Sequence, residues 1–274
     1  MKIVVLIENT APEGSCLAAE HGLSFYVEHR GKAVLLDAGA SGGFADNAAA
    51  LGVDLGHVDV AVLSHGHYDH AGGLGRFFAC NDHAKVYARP SAGGAYFTTS
   101  LGEPRFMGVS RDVWEGQRER FETPEGLFQL FDGAWLVPET VHGGPFASRE
   151  TNLLRQEAAG GFVPDDFSHE HSLVLEGSRG LVLFNSCSHG GIVNIVRGVK
   201  EQLGRPVYAV FGGLHLFSAK AASGMNCTPE YALSEGVEQI YTGHCTGQAA
   251  LALLQDRLGE RIQALTTGLC VTLE

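Results

Sequence analysis

Four residues able to hold a metal ion lie within six positions of one another: His65, His67, Asp69 and His70, in the run Leu63-Ser64-His65-Gly66-His67-Tyr68-Asp69-His70. The run follows Val58–Leu63, a β-branched stretch that reads as a buried strand. On extended backbone, residues two apart point the same way, so His65 and His67 can grip one cation together. Where the chain then turns, Asp69 and His70 can face a second cation beside the first. Nitrogen and oxygen donors of this softness suit Zn²⁺, with Mn²⁺ or Fe as alternatives. A polar turn whose histidines cap a helix would explain one histidine. It does not explain three and an aspartate at this spacing.

These residues need elements to hold them. Ile3–Ile7 reads as a buried strand, and Leu23–Glu28 with Ala33–Leu36 as a hairpin about Arg30-Gly31. Phe44–Leu51 is Ala-rich and helical, Gly72–Phe78 begins a second helix, and Lys85–Ala88 is a strand. From Arg89 to about Asp166 periodicity fades, apart from a hairpin of Phe128–Phe131 and Ala134–Val137, so an irregular substrate-loop insertion is expected there. Regular structure resumes with the hairpin Ser172–Leu175 and Leu181–Phe184, a helix over Ile192–Leu203 and the strand Val207–Phe211. A helix is expected after Thr228-Pro229-Glu230, then a strand over Glu238–Tyr241, a helix over Gln248–Leu258 and one terminal strand within Arg261–Leu273. Two β-rich halves with helices outside predict an α/β fold, a four-layer αββα sandwich in one domain spanning 1–274.

The His-x-His-x-Asp-His run after a strand resembles that of the metallo-β-lactamase superfamily of metal-dependent hydrolases. So does Leu35-Leu36-Asp37-Ala38-Gly39 upstream. Leu63–Leu74, Cys187-Ser188-His189-Gly190-Gly191-Ile192-Val193-Asn194, Gly212-Gly213-Leu214-His215-Leu216 and Gly243-His244-Cys245-Thr246-Gly247 are similar to one branch, the 7,8-dihydropterin-6-yl-methyl-4-(β-D-ribofuranosyl)aminobenzene-5′-phosphate synthase-like proteins. The resemblance implies a dinuclear site, with His65 and His67 on the first metal and Asp69, His70 and His244 on the second. His189 is the favoured third ligand of the first site, with His171 its rival. Cys187 either replaces a bridging aspartate or is a small buried residue. His215 is a second-layer contact or a structural histidine, and Cys245 is expected to point away from His244. His21, His29, His57, His83, His142 and His169 lack motif context and are taken as surface or loop residues.

A water held between two cations becomes a nucleophile near neutral pH, and Asp69 would position it and shuttle its proton. That chemistry suits a small-molecule ester, lactone or phosphate-type substrate. The alternatives are a pterin-pathway transferase releasing pyrophosphate, or a non-hydrolytic metal-binding sensor module. Arg105, Arg111 and Phe106 are candidate substrate contacts; Arg118, Arg120, Phe97 and Trp114 are weaker ones. Gly72-Gly73 and Gly190-Gly191 precede helices and either bind a substrate anion or merely shape loops.

Composition bounds the rest. Of 274 residues, 45% are hydrophobic and 18% charged, as in soluble globular proteins. Lys plus Arg is 19 against 31 for Asp plus Glu, a net charge of −12 that argues against a nucleic-acid partner. The opening MKIVVLIENT is too short an apolar run for a signal peptide, so a cytoplasmic protein with no membrane partner is expected. The six cysteines are widely spaced and read mostly as reduced, buried thiols. Composition does not specify an oligomeric state.

Overall fold

The structure is a computed structural model that describes residues 1–139, 152–216, 233 and 235–274. The first sheet contains β1 (Lys2–Ile7), β2 (Ser24–His29), β3 (Lys32–Leu36), β4 (Val60–Val62), β5 (Lys85–Tyr87), β8 (Phe121–Glu122) and β18 (Cys270–Thr272). Their spatial order is β18-β1-β2-β3-β4-β5-β8. Pairing is antiparallel from β18 to β3 and parallel from β3 to β8. The second sheet mirrors this plan. It holds β9 (Phe128–Phe131), β10 (Ala134–Pro138), β13 (His171–Gly177), β14 (Gly180–Phe184), β15 (Val207–Phe211), β16 (Gln239–Thr242) and β17 (Ile262–Ala264), in the order β17-β16-β15-β14-β13-β10-β9. Its β14 to β17 pairings are parallel and the remainder antiparallel.

Alternation along the strands builds the layers. Ile3 and Val5 face inward with Phe25 and Leu36, against Leu173, Val182, Phe184 and Phe211 of the second sheet. Val4 and Leu6 face outward, onto Phe44 and Ala48 of helix α1 (Gly43–Ala50) and onto Leu74 and Phe77. The outer face of the second sheet packs Val174, Leu183 and Val210 against Ile195, Val196 and Val199 of the helix Ile192–Leu203, and against Leu254 and Leu258 of the helix Gln248–Leu258. At the centre Phe184 stacks on Phe211 at 5.0 Å, and Phe25 meets Phe184 edge-on at 5.8 Å. Burying each such ring stabilises the fold by roughly 1.5–3 kcal/mol. The four layers expected from sequence are present.

The middle of the chain departs from expectation. Within 89–166, β6 (Tyr96–Thr98), β7 (Arg105–Phe106), β11 (Leu153–Gln156) and β12 (Phe162–Pro164) form a third sheet, ordered β12-β11-β6-β7. The stretch also supplies β8, β9 and β10 to the main sheets, so it is not a structureless insertion. Strands of two to four residues carry too little alternation to be seen in sequence. The expected single terminal strand is two: β17 edges the second sheet and β18 crosses to pair with β1. The helix expected from Gly72 runs over Leu74–Cys80, and a single helical turn, Tyr68–Ala71, precedes it inside the ligand run. The helix placed after Thr228-Pro229-Glu230 and His142 lie outside the described residues. Among the described residues Cys16, Cys80 and Cys270 are exposed thiols and Cys187 and Cys245 are buried, correcting the expectation of mostly buried cysteines; Cys227 lies outside the described residues. Among the described residues no helix is long and apolar enough to cross a membrane.

Candidate metal centre

The carboxyl ends of five parallel-paired strands deliver the polar residues to one edge of the sandwich. Asp37 follows β3, the His65–His70 run follows β4, Cys187 and His189 follow β14, His215 follows β15 and His244 follows β16. Ligand sites outside the carboxyl ends of strands are the rule in open α/β sheets. Asp37, Phe167, Ser188, His215 and His244 all have positive φ without being glycine, and they cluster here. Such local strain collects where surrounding structure holds side chains in a functional arrangement.

Two groups of donors result. In the first, one donor atom each from His65, His67 and His189 lie within 4.8 Å of one another. The three rings are 4.5 to 5.0 Å apart, centroid to centroid. In the second, Asp69 Oδ2 is the hub, 3.5 Å from His70 Nε2 and 3.3 Å from His244 Nε2. Cys187 borders both groups: its thiol groups with His65 and His70, with His244 and Cys245, and with His189 and His215. Its Sγ is 3.3 Å from His70 Nε2.

The tautomers follow from the hydrogen bonds. Asp37 Oδ1 accepts from the Ser64 amide at 2.7 Å, and Oδ2 accepts from Ser64 Oγ, Ser186 Oγ and His70 Nδ1 at 2.6 to 2.8 Å. A carboxylate only accepts, so His70 carries a proton on Nδ1 and turns its Nε2 inward, toward Asp69 and Cys187. Ser64 spends its proton on Asp37 and therefore accepts from His65 Nδ1 at 2.8 Å. That leaves His65 Nε2 as a bare acceptor. Asn9 Oδ1 does the same to His244 through Nδ1 at 2.9 Å. The result is a concentration of buried polar atoms without hydrogen-bond partners: His65 Nε2, His67 Nε2, His244 Nε2, Asp69 Oδ1 and both nitrogens of His189, one of which bears a lone pair in the neutral ring. Leaving such groups unpaired costs about 1–3 kcal/mol each. A divalent cation is the partner this donor set fits.

Protonation differs between the groups. Burial, helped by neighbouring His70, His67 and His189, drives His65 well below its ordinary value. Burial brings His67 down to about 4 and His189 well below normal. His70 goes the other way: burial pulls it down, but Asp69 and Asp37 outweigh it and raise it to about 10. Burial pushes Asp69 up, while His70 and His244 together hold its carboxyl well below the usual range.

Of the two candidates for the third position of the first group, His189 lies in it. His171 donates Nε2–H to the Leu63 carbonyl at 2.8 Å, which removes that nitrogen's lone pair from ligation. His215 sits beside His189, rings 4.4 Å apart. Cys245 was expected to point away from His244. Instead it groups with His244 and Cys187, because His244 has φ +49° and starts a 3-10 turn rather than extended chain. Arg105, Phe106 and Arg111 are exposed, outside the buried cluster. Arg118 and Arg120 instead donate to main-chain carbonyls, of Phe121 and of Ala84 and Asn81. Trp114 packs on Phe121, and Phe97 on Phe106 and Phe162. The glycine pairs are not open anion sites. Gly73 is crowded by the carbonyls of Ala38 and Ser41, and the amides of His189 and Gly190 are taken by the Glu170 carboxyl at 3.0 and 2.9 Å.

Several contributors had no local motif to announce them. His169, taken as a surface or loop residue, lies in a turn but is fully buried: its Nδ1 accepts from the Gly66 amide and its Nε2 donates to Asp165, which stands 3.6 Å from His67 Nε2. His29 is also buried. Tyr96 of the third sheet lies 5.9 Å from the His67 ring, and Phe167 stacks on His189 at 4.4 Å. Glu8 accepts the His244 amide at 2.6 Å. His21, also expected to be peripheral, places Nε2 3.4 Å from Asp69 Oδ2. Each comes from a segment distant in sequence from the ligand it supports.

Residues 18–192 match the profile of the metallo-beta-lactamase superfamily. A Methanocaldococcus jannaschii protein named 7,8-dihydropterin-6-methyl-4-(beta-D-ribofuranosyl)-aminobenzene-5′-phosphate synthase is 30% identical, with 98% of this chain and 95% of that one aligned. The crystal structure of Tm1679, described as a metal-dependent hydrolase of the beta-lactamase superfamily, superposes with a TM-score of 0.83 at 26% identity, covering 100% and 99% of the two chains. Zn²⁺-bound PqqB from Methylobacterium extorquens shares the fold at a TM-score of 0.61 and 15% identity, each chain covered in full.

Proposed function

The chain belongs to the metallo-β-lactamase superfamily, and from that premise we propose that it is a metal-dependent hydrolase with a dinuclear centre, acting on a small-molecule ester, lactone or phosphate-type substrate. The observation that carries this reading is the convergence of buried, unpartnered acceptor atoms at the strand ends. His65, His67 and His189 would hold the first ion, and Asp69, His70 and His244 the second. The Cys187 thiol, placed against both groups, would stand between them. Mixed nitrogen, oxygen and sulfur donors favour Zn²⁺, with Mn²⁺ or Fe as competitors.

The ions, when bound, supply the positive charge that acidifies water and polarises a carbonyl or phosphoryl oxygen. The protein's own groups divide the remaining work. Asp69 Oδ2 faces His70 and His244, so it is the ligand oxygen. Its Oδ1 is buried and hydrogen-bonded to nothing, and is free to take the proton of an attacking water. Asp37, Ser64 and Asn9 fix the Nδ1 side of the His70, His65 and His244 rings, so each turns Nε2 to the site, and only the further proton held on His70 must leave before ligation.

A second reading is favoured by the 30% identical relative, which aligns along nearly its whole length. On that reading the same centre serves a synthase joining a dihydropterin to a ribofuranosylaminobenzene phosphate with loss of pyrophosphate. Metal analysis of the purified protein, with turnover assays on generic esters, lactones and phosphodiesters and a pyrophosphate-release assay, separates the two. About two transition-metal equivalents per chain are expected, with hydrolysis abolished by His65→Ala. Protein that contains no such metal and is neither stabilised nor activated by Zn²⁺ or Mn²⁺ would overturn both.

A further inference from the structure

Among the described histidines at the centre, His21 alone keeps its side chain about half exposed, at 55%. Its neighbours in sequence are clamped. The Glu20 carboxylate accepts from the Ala40 and Ser41 amides, each at 3.0 Å, and the Leu23 amide donates to the Asp69 carbonyl at 3.3 Å. The backbone at His21 is therefore held in place, and its ring lies 4.9 Å from that of His244.

One amide sets the two rings in opposite senses. Asn9 Oδ1 accepts from the Gly22 amide at 3.3 Å, which fixes which end of the Asn9 side chain is oxygen. The same oxygen accepts from His244 Nδ1, so Asn9 Nδ2 is left to face His21 Nδ1 at 3.2 Å as a donor. His21 Nδ1 must then be an acceptor, and in the neutral ring the proton lies on Nε2. His244 thus shows the centre a lone pair, whereas His21 shows it an N–H. Its Nε2 stands 3.4 Å from Asp69 Oδ2, in a donor group with Asp69 and His244, but as an N–H it offers no lone pair to a metal, and the contact is long enough to leave the half-exposed N–H open to a better-placed acceptor.

We propose that His21, held by Asn9 as its Nε2–H tautomer, is a substrate-binding residue that donates a hydrogen bond to an anionic oxygen of the substrate beside Asp69, and is not a metal ligand. The inference rests on the dinuclear reading above. It also narrows the substrate to one bearing a phosphoryl or carboxylate oxygen on the His244 side of the centre.

The test uses Zn²⁺-loaded protein, with inorganic phosphate as the probe. Long-range proton–nitrogen NMR of histidine-labelled wild type should show His21 protonated at Nε2 and His244 at Nδ1. His21→Ala should keep the wild-type zinc content while phosphate affinity falls about tenfold or more, the loss expected for a hydrogen bond to a charged group. His21→Gln, whose amide nitrogen can stand near the Nε2 position, should recover most of it. Loss of a zinc equivalent in His21→Ala, an Nδ1–H tautomer at His21, or unchanged phosphate affinity would each overturn the proposal. Wild-type protein that takes up no zinc would instead mark the failure of the dinuclear reading, and the NMR tautomer would still report on Asn9 and His21.

Discussion

Replacing Asp37 with asparagine would barely alter the volume at the end of β3, but it would put an N–H₂ where Oδ2 now accepts three hydrogen bonds. The serine hydroxyls can turn to suit the change. His70 Nδ1–H cannot, and the ring would move its proton to Nε2, the nitrogen that faces Asp69 and Cys187. We expect Asp37→Asn to weaken binding at the Asp69/His70/His244 group by about 10–100-fold, as for other groups that orient a ligand, and to spare the His65/His67/His189 group. Chelator competition measures the two affinities separately, and equal loss at both would count against the tautomer argument. At the first group, His189→Ala should cost one metal equivalent, whereas His171→Ala should keep the metal and lower the melting temperature, because His171 is tied to Leu63 O. The ligand run itself was legible, since four donors adjacent in sequence stay adjacent in space. Asp165, His169, His21 and Asn9 were not legible: each acts through one contact across the fold, and isolated polar residues leave no periodic signal.

The same contrast holds among the elements. Long strands with clean alternation, such as β1 and β13, and the helix Ile192–Leu203 were readable because one buried face repeats at a fixed period. The third sheet was not, as its strands are two to four residues long and partly exposed. Its consequence for the site is Tyr96, which walls the His67 side. The strand ends make their own demand on sequence. Gly212, just past β15, has φ +137°, and a Cβ there would stand 1.8 Å from the Asn185 carbonyl oxygen at the end of β14. Neither the backbone conformation nor the space admits a side chain, so β14 and β15 could not keep their parallel register with alanine at this position. Gly212→Ala should therefore lower stability by about 2 kcal/mol or more. In a chain of this size that is a fall of roughly 4–8 °C in melting temperature, read by calorimetry. A shift under a degree would show that the loop relaxes freely.

For the molecule as a whole, each proposed metal group draws ligands from both sheets: His65 and His67 with His189, and Asp69 and His70 with His244. Metal would therefore tie the two halves of the sandwich together at one edge, and its removal should expose how the bare site titrates. His67 and His171 lie at about 4 when folded, against 6.5 unfolded. In this range the unfolded chain binds more protons, so stability is complete above pH 6.5 and is lost as pH falls toward 4, by about 3 kcal/mol for each group. His70, at about 10, has the opposite sign. Its contribution is complete below pH 6.5 and is lost as pH rises through 10. Metal-free protein should then be most stable near pH 6.5 and decline on both sides, whereas a monotonic profile would contradict these assignments. The two groups should also differ in how they fill. His65 and His67 are already unprotonated at pH 7.5, so an ion can enter the first group without displacing a proton. An ion entering the second must displace the proton that Asp37 and Asp69 hold on His70. Calorimetric zinc titrations in buffers of different ionisation enthalpy should show a first equivalent that releases almost no protons and a second that releases the His70 proton, together with that of the Cys187 thiol as it becomes a ligand. The second affinity should strengthen at least about tenfold per pH unit between pH 7 and 9. Equal proton release at both steps would mean that His70 is neutral in the metal-free protein and that Asp37 does not hold it charged.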